Sequence, residues 1–133
     1  MNNQSLPKKT ATYGPYSPIK NAGNLYFVSG QVGIDPESKK APADIKAQTE
    51  QVILNIKAVL DTKNLSLDNV VKTTVYVTDM ADFAAMNEVY ANYFDSVKPA
   101  RATVAVKELP RVGGDVDIVI EIDAVAYKGD QNG

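Results

Sequence analysis

Hydrophobic and polar residues follow two spacings along the chain, and the change between them predicts the elements. Residues 18–20 and 25–31 are short β-type runs on either side of residues 21–24, which read Asn-Ala-Gly-Asn. Because Gly and Asn tolerate a positive φ, this tetrapeptide predicts a β-hairpin. The polar stretch 35–42, which opens with Asp-Pro, predicts a loop.

Helical spacing of the apolar residues occurs twice. The first helix is expected behind Asp44, which can cap its first turn, and before Asn64, which can adopt the left-handed conformation that ends a helix. Asp79 or Asp82 is the expected cap of the second helix, and Pro99 limits its end. The apolar positions are Ile45, Val52, Ile56, Val59 and Leu60 in the first helix, and Phe83, Met86, Tyr90 and Phe94 in the second.

Alternation with a period of two predicts three further strands. Residues 70–78 are rich in β-branched side chains, 101–106 alternate, and 116–125 alternate after a turn at Gly113-Gly114. Glu121 is predicted on the face of the last strand that points away from the helices. The opposite face of that strand carries Val116, Ile118, Ile120, Ile122 and Ala124, and one face of the strand before it carries Arg101, Thr103 and Ala105.

The element order is therefore a hairpin, a helix, a strand, a helix and two closing strands, which indicates an α+β fold. Two helices can cover only one face of a mixed sheet of about five strands. The other face mixes Val, Thr and Tyr with charges, and we expect it to meet another subunit. We predict a flexible lead-in over residues 1–12, a single domain over 13–128 and a C-terminal tail over 129–133.

Composition narrows the chemistry more than it narrows the fold. The 133 residues include no cysteine and no histidine. This excludes thiol nucleophiles, disulfides, Ser-His-Asp machinery and the usual His/Cys zinc sites. Any catalysis must use carboxylates, Lys, Arg, Tyr or hydroxyl groups.

Charge and hydropathy limit the partners. The net charge is −2, with 14 cationic residues scattered along the chain, so the sequence lacks the basic balance of a nucleic-acid-binding surface. No apolar run approaches the ~20 residues of a membrane span, and the polar first twelve residues do not resemble a signal peptide. We therefore expect a cytoplasmic protein with no membrane or nucleic-acid partner.

Two aspartate pairs have the oxygen atoms that a metal ion could bind. Asp79 with Asp82, and Asp115 with Asp117, could offer oxygen to a divalent ion. Neither pair has a further acidic residue nearby in the sequence. Helix capping and solubility explain them better, so no metal site is predicted.

Arg101 and Glu121 are the charged residues most suggestive of a site. Arg101 lies at the start of a strand, where its guanidinium could bind a substrate carboxylate or pair with a neighbouring acid at the sheet edge. Glu121 interrupts a strongly apolar strand. It is either a solvated outward carboxylate or a partly buried one, whose raised pKa would suit proton transfer.

Other candidate positions are uncharged. Tyr16 lies in a rigid segment that reads Gly-Pro-Tyr-Ser-Pro, which is either a packed turn or the wall of a site. Ser29 precedes Gly30, and glycine lets a ligand or another backbone approach a strand. Asn87 falls on the apolar side of its helix, either as a satisfied buried amide or as a ligand contact.

Five segments in order resemble the RidA/YjgF family of imine deaminases. They are 14–17 (Gly-Pro-Tyr-Ser), 28–31 (Val-Ser-Gly-Gln), 68–87 with its Val-Lys-Thr-Thr-Val, 99–101 (Pro-Ala-Arg) and 121–126 (Glu-Ile-Asp-Ala-Val-Ala). Each is weak alone, but together they are highly specific and cover nearly all of residues 13–127. The resemblance implies a chorismate-mutase-like α+β fold assembled as a homotrimer, with active sites in the clefts between subunits.

The resemblance also implies an activity. The family hydrolyses reactive 2-enamine and 2-imine acids, such as 2-aminoacrylate, 2-iminopropanoate and 2-iminobutanoate, to 2-oxo acids and ammonia without a cofactor. These acids are released by pyridoxal-phosphate enzymes, which the activity protects from damage. By resemblance, Arg101 binds the substrate carboxylate and Glu121 activates water or shuttles protons. The implied substrate-binding residues are Tyr16, Ser29, Gly30, Asn87, Arg101 and Thr103.

Two departures from the family pattern stand out. Thr103 replaces a cysteine found in many relatives. The segment 111–117 looks longer than usual, and a longer turn there can alter the mouth of the cleft or change which substrates fit.

Three alternative functions remain open from the sequence. They are a ribonuclease or translation inhibitor, a chaperone with exposed apolar surface, and a non-catalytic sensor that binds small carboxylates.

Overall fold

One mixed sheet organises the chain, and two helices pack on one of its faces. The computed structural model describes residues 14–112 and 114–129. The elements are β1 (Ile19–Ala22), β2 (Leu25–Val32), α1 (Ile45–Asp61), β3 (Val70–Val77), α2 (Phe83–Phe94), β4 (Ala100–Ala105) and β5 (Ile120–Tyr127). The α+β class is confirmed. No helix within these residues is long and apolar enough to cross a membrane.

The strand order is β1-β2-β5-β3-β4. β5 lies at the centre and pairs antiparallel with both β2 and β3, whereas β4 pairs parallel with β3 at one edge. The predicted hairpin is confirmed, with β1 and β2 joined through Gly23 and Asn24. Gly23 has a φ of 59°, which a glycine adopts without strain.

α1 begins and ends as its sequence predicts. The carboxylate of Asp44 accepts a hydrogen bond from the backbone N–H of Ala47 at 2.7 Å. After the last turn, Asn64 has a φ of 60°, and the N–H of Leu65 donates to the carbonyl of Leu60 at 3.0 Å. This satisfies one of the carbonyls that a helix end leaves without a partner.

The main core lies between the helices and the sheet. Phe83 was placed in the apolar stripe of α2, but its side chain is 38% exposed, so the buried part of that stripe starts at Met86. Phe83 is the first residue of α2. The largest fully buried side chains are Ile53, Ile56, Leu60, Met86, Phe94, Ile120 and Ile122.

The segment before β5 was predicted as strand and is not. Gln48 of α1, which is fully buried, accepts a hydrogen bond from the N–H of Val119 at 3.0 Å and donates to the carbonyl of Asp117 at 2.9 Å. These backbone groups therefore pair with a helix side chain instead of a strand. Ile118 is buried in a second, small apolar cluster with Val32, Ile34 and Ala41.

The cap ahead of α2 is Asp79. Its carboxylate accepts from the N–H of Ala81 at 2.9 Å and caps a short 3₁₀ turn, Met80–Asp82. Asp82 precedes α2 and makes no side-chain capping bond. The lead-in predicted over 1–12 and residues 130–133 of the predicted tail lie outside the described residues, as does Gly113 of the predicted turn.

Candidate active site

Arg101 lies on the side of β4 that faces the helices. In the parallel pairing it stands opposite Thr73, which is fully buried beneath α2. Its guanidinium carbon is 4.8 Å from the ring centroid of Tyr90 and 5.7 Å from that of Phe83. Two aromatic side chains from α2 therefore flank the cation, within the range of cation–π attraction.

Arg101 has no acid partner among residues 14–112 and 114–129. The alternative of a neighbouring acid at the sheet edge is thus not found in this part of the chain. Its guanidinium is partly buried and remains available for another anion. The ion pairs found there join Lys46 to Glu88, Lys98 to Asp95 and Arg111 to Glu108.

A cleft of about 320 Å³ opens beside Arg101. Asn87, Tyr90, Ala91 and Pro99 contribute to its walls. Asn87 is partly exposed there, so it is not the satisfied buried amide that was one alternative. Lys98 and Asp95 also line the cleft but pair with each other, so Arg101 is the cation there without an acid partner. With one amide and apolar walls beside it, the cleft suits a small organic carboxylate.

Thr103 lies close to Arg101 on β4 and adds a hydroxyl group to the same side of the sheet. It stands opposite Val75 in the register, two residues beyond Arg101 and on the same face. Its Oγ1 is buried, and it is the one buried side-chain polar atom of the described residues without a hydrogen-bond partner. Buried polar groups are nearly always paired, so this hydroxyl is a candidate contact for a ligand or water.

Ser29 and Gly30 lie at a β-bulge in β2. Between Val28 and Gln31 the strand advances three residues while β5 advances two. Bulges of this kind re-aim side chains and occur beside active sites. Ser29 donates through its hydroxyl to the carbonyl of Ser17 at 2.6 Å, which ties the bulge to the segment that carries the exposed Tyr16.

Glu121 lies against this bulge from β5. Its carboxylate occupies the space that a Cβ on Gly30 would need. Burial raises the pKa of Glu121, and the neighbouring charge of Asp123 raises it further. The side chain is half-buried, which disagrees with a freely solvated carboxylate and fits the partly buried alternative.

Asp123 is held by Tyr76 on the same face of the sheet. The Tyr76 hydroxyl donates to the Asp123 carboxylate at 3.1 Å. Burial, followed by the charge of Asp123, raises the pKa of Tyr76, so the phenol stays protonated as a donor. Asp123 is thereby fixed near Glu121, where its charge acts on the Glu121 pKa.

The residues around Arg101 and those around Glu121 lie on opposite faces of the sheet. Glu121 stands opposite Tyr76 on the face without helices, whereas Arg101 stands opposite Thr73 on the helix-packed face. β5 and β4 are also separated by β3, which places their backbones about 10 Å apart. Within one chain, a small substrate cannot contact Arg101 and Glu121 together.

Comparisons with known proteins agree over nearly the whole chain. The family model described as Endoribonuclease L-PSP matches residues 7–128. A RutC family protein of Pyrococcus horikoshii is 53% identical over 116 residues, which are 86% of this chain and 88% of the relative. This chain belongs to the RidA/YjgF family.

Crystal structures of family members share the fold. RidA from the Antarctic bacterium Psychrobacter sp. PAMC 21119 superposes with a TM-score of 0.84 at 41% identity, over 92% of this chain and 96% of that one. Escherichia coli TdcF with bound serine gives a TM-score of 0.83 at 34% identity, over 92% and 96%. The mixed five-stranded sheet with two helices is therefore the family's architecture.

Two residues beside Arg101 were missed by sequence reasoning in this RidA/YjgF chain. Tyr90 and Phe83 were assigned only to the apolar stripe of the helix, yet their rings flank the guanidinium. The sequence did contain a signal for these rings, because Asn87, a candidate ligand contact, lies one helical turn from each of them.

Among the described residues, no group of three or more carboxylate side chains converges as a metal site.

Proposed function

We propose that this RidA/YjgF protein hydrolyses 2-imine acids, and the enamine acids that tautomerise to them, to 2-oxo acids and ammonia. The observation that carries the proposal is Arg101, a cation without an acid partner that lines an organic-sized cleft. Its planar donor fork matches a carboxylate. The proposal is further supported by TdcF, a family member with bound serine, since serine is also a small acid with nitrogen on C2.

The complete site is proposed to form between two copies of the chain, within a homotrimer. This is supported by the separation of Arg101 and Glu121 on opposite faces of one subunit. The helix-free face also exposes large apolar side chains, among them Phe27, Val104 and Tyr127. Packing against a second copy would bury them. A monomer at micromolar concentration in sedimentation equilibrium would contradict the proposed assembly.

The reaction needs orientation and proton transfer more than it needs a nucleophile from the protein. An imine carbon is already electrophilic, and water can attack it directly. Arg101 holds the substrate carboxylate and thereby fixes the position of C2. Glu121 of the second copy, with its raised pKa, holds water on the other side of the site and exchanges protons.

Two proton movements complete the hydrolysis. In the first, the water oxygen bonds to C2 while the π pair of C=N moves to nitrogen, and Glu121 transfers a proton from the water to that nitrogen. In the second, the new hydroxyl gives its proton through Glu121 to the nitrogen. The C–N bond then breaks with its electron pair on nitrogen, leaving a 2-oxo acid and ammonia. Each half-reaction uses the same carboxylate as base and then as acid.

The remaining site residues have supporting roles in the proposal. Asn87 and the unpaired hydroxyl of Thr103 lie on the Arg101 side, where they can hydrogen-bond the substrate nitrogen or the attacking water. Ser29, Tyr16 and the backbone at Gly30 line the Glu121 side. The biological role would be protective, because the enamine products of pyridoxal-phosphate enzymes are reactive when released.

The decisive experiment generates the imine freshly and adds the protein in catalytic amounts. A dehydratase acting on threonine releases 2-iminobutanoate, and 2-oxobutanoate formation is followed by stopped flow. We expect the protein to accelerate this step with turnover, and Arg111→Lys to do so equally. No acceleration, together with binding of 2-oxobutanoate, would indicate a carboxylate sensor. RNA cleavage at catalytic protein levels would support the ribonuclease alternative, and aggregation suppression independent of Arg101 would support a chaperone.

A further inference from the structure

The Arg101 guanidinium rests on a ring that is itself fixed. Its carbon lies 4.8 Å from the centroid of the Tyr90 ring. Tyr90 packs on Phe94 with a centroid separation of 4.6 Å and an interplanar angle of 36°. An arginine stem has several rotatable bonds, so a fixed aromatic face restricts where its charged end can lie.

A buried hydrogen bond holds Tyr90 in place. The Tyr90 hydroxyl is 2.7 Å from Oγ1 of Thr73, and Thr73 is fully buried. Burial raises the pKa of Tyr90, so the hydroxyl stays protonated and the bond persists at neutral pH. A hydrogen bond between two buried hydroxyls is costly to break, because both groups would lose their partner.

Thr73 is also the residue that stands opposite Arg101 in the strand pairing. The backbone of Arg101 is therefore set by its pairing with β3 beside Thr73, and its guanidinium is set by the ring that Thr73 holds. The stem of Arg101 is thus constrained at both ends. Phe83, with its ring centroid 5.7 Å from the guanidinium carbon, borders the same charged group.

We propose that Tyr90 is a positioning residue, which, held by Thr73, sets the plane of the Arg101 guanidinium for carboxylate binding in the cleft. The Tyr90 ring covers one side of the guanidinium and leaves its edge to a carboxylate, where two parallel N–H groups can bind both oxygens. The inference rests on the proposed function for its substrate. The ordering of Arg101 by Tyr90 is testable without that function.

The small number of arginines makes the mobility of Arg101 directly measurable. It contains two arginines, Arg101 and Arg111, so a proton–nitrogen spectrum of arginine Nε–Hε groups has two signals, and Arg111→Lys assigns them. Arg111 is highly exposed and serves as the internal reference. We expect the Arg101 signal to be shifted by the ring current of Tyr90, with relaxation typical of a rigid group, and the Arg111 signal to be that of a mobile side chain.

Three variants then test the Tyr90 ring and the Thr73–Tyr90 hydrogen bond separately. Tyr90→Leu removes the ring, and the Arg101 signal should move to the position and mobility of Arg111. Tyr90→Phe keeps the ring and Thr73→Val keeps the side-chain shape, but each removes the hydroxyl pair, so Arg101 should become partly mobile. Both break the Thr73–Tyr90 bond, and Tyr90→Phe also removes the interaction of the hydroxyl with Arg101, so the double variant should resemble Tyr90→Phe. The matched control is Tyr93→Leu, since Tyr93 on the same helix bonds Glu50 instead.

Binding of 2-oxobutanoate, measured by calorimetry, gives the functional readout. We expect dissociation constants about tenfold higher for Tyr90→Leu and about two- to threefold higher for Tyr90→Phe and Thr73→Val. In turnover assays the loss should appear mainly in KM, with a smaller change in kcat, and the pH profile should be unchanged. A general loss of folding would instead alter Tyr93→Leu similarly.

The inference is overturned if the Arg101 signal is as rigid and as shifted in Tyr90→Leu as in the parent. If Tyr90→Leu does not fold, an unchanged Arg101 signal in Thr73→Val overturns it equally. Failure of the proposed function would give a different set of results. In that case the parent does not hydrolyse imines, yet the Arg101 signal still depends on Tyr90 and Thr73, which supports the positioning role by itself.

Discussion

The carboxylate of Glu121 fills the space that a side chain on Gly30 would occupy. The glycine stands in the bulge of β2 and the glutamate on the neighbouring β5, so a half-buried carboxylate is packed directly on a backbone without a Cβ. A glycine at this position leaves the space in which the Glu121 carboxylate lies. The colliding atoms are the flexible end of a side chain, which can move aside.

Gly30→Ala should therefore damage activity and spare stability. We expect turnover to fall by about ten- to a hundredfold, because a misplaced carboxylate loses its orientation towards water. The matched variant is Gly33→Ala, whose Cβ would lie 2.7 Å from the backbone carbonyl oxygen of Gln48. Overpacking against backbone should reduce the free energy of unfolding by about 1–3 kcal/mol. Thermal unfolding and imine decay distinguish them, and equal loss of stability in both variants would contradict this reasoning.

Arg101→Lys should not preserve the activity, although it preserves the charge. An ammonium cannot present the two parallel donors of a guanidinium, and the loss of a charge-assisted bond should lower kcat/KM by about ten- to a hundredfold. Arg111→Lys, at an exposed ion pair with Glu108, should have no effect. Carboxylate anchoring by Arg101 is wrong if the two lysine variants hydrolyse 2-iminobutanoate equally well.

Glu121→Gln should separate chemistry from binding. The amide keeps the size of the side chain but cannot exchange a proton, so turnover should fall by about two to four powers of ten. Binding of 2-oxobutanoate at Arg101 should persist in calorimetric titration. A folded variant with unchanged turnover would show that proton transfer is carried out by another group, such as Tyr16 or a water held by Thr103.

Asp123→Asn should shift the acid limb of the turnover profile to lower pH. The charge of Asp123 raises the pKa of Glu121, so its removal lowers that pKa, and Glu121 becomes an ionised base at lower pH than in the parent. The burial contribution, which is the larger, remains. Turnover as a function of pH is the measurement, and Asp61→Asn, at the end of α1, is the control. An acid limb that moves upward or stays fixed contradicts the assigned cause.

Mixing two inactive variants should restore activity if each site is shared. Arg101→Ala and Glu121→Gln subunits, unfolded together and reassembled in equal amounts, would place a native Arg101 opposite a native Glu121 at about a quarter of the interfaces. Activity should recover to about that fraction of the parent. Sites contained within one subunit would recover none, and each variant refolded alone gives the baseline.

Local features of the fold followed from local sequence. The carboxylate of Asp44, the left-handed residue Asn64 and the turn at Gly23 each act within a few residues, so their patterns were sufficient to predict the ends of α1 and the first hairpin. The face on which Glu121 lies was also predictable, because alternation along a strand depends on counting alone.

Features set by distant pairing could not be predicted from pattern. Val119 belongs to an alternating run, yet its N–H donates to Gln48, 71 residues earlier, and β5 begins only at Ile120. The sheet order separates Arg101 from Glu121, and no local pattern reports that β4 lies at the edge. The contact of Tyr90 with Arg101 could not be predicted for a related reason. A ring that packs in the core has the same helical spacing whether or not it also contacts a cation.

The central position of β5 has a consequence for how the chain folds during synthesis. β5 follows the other four strands in the chain, yet it is the strand that joins β2 to β3. Until it leaves the ribosome, the β1–β2 hairpin and the β3–α2–β4 unit share no strand pairing. A nascent chain must therefore hold two incomplete half-sheets with open edges, and cooperative folding begins only when the final strand closes them together.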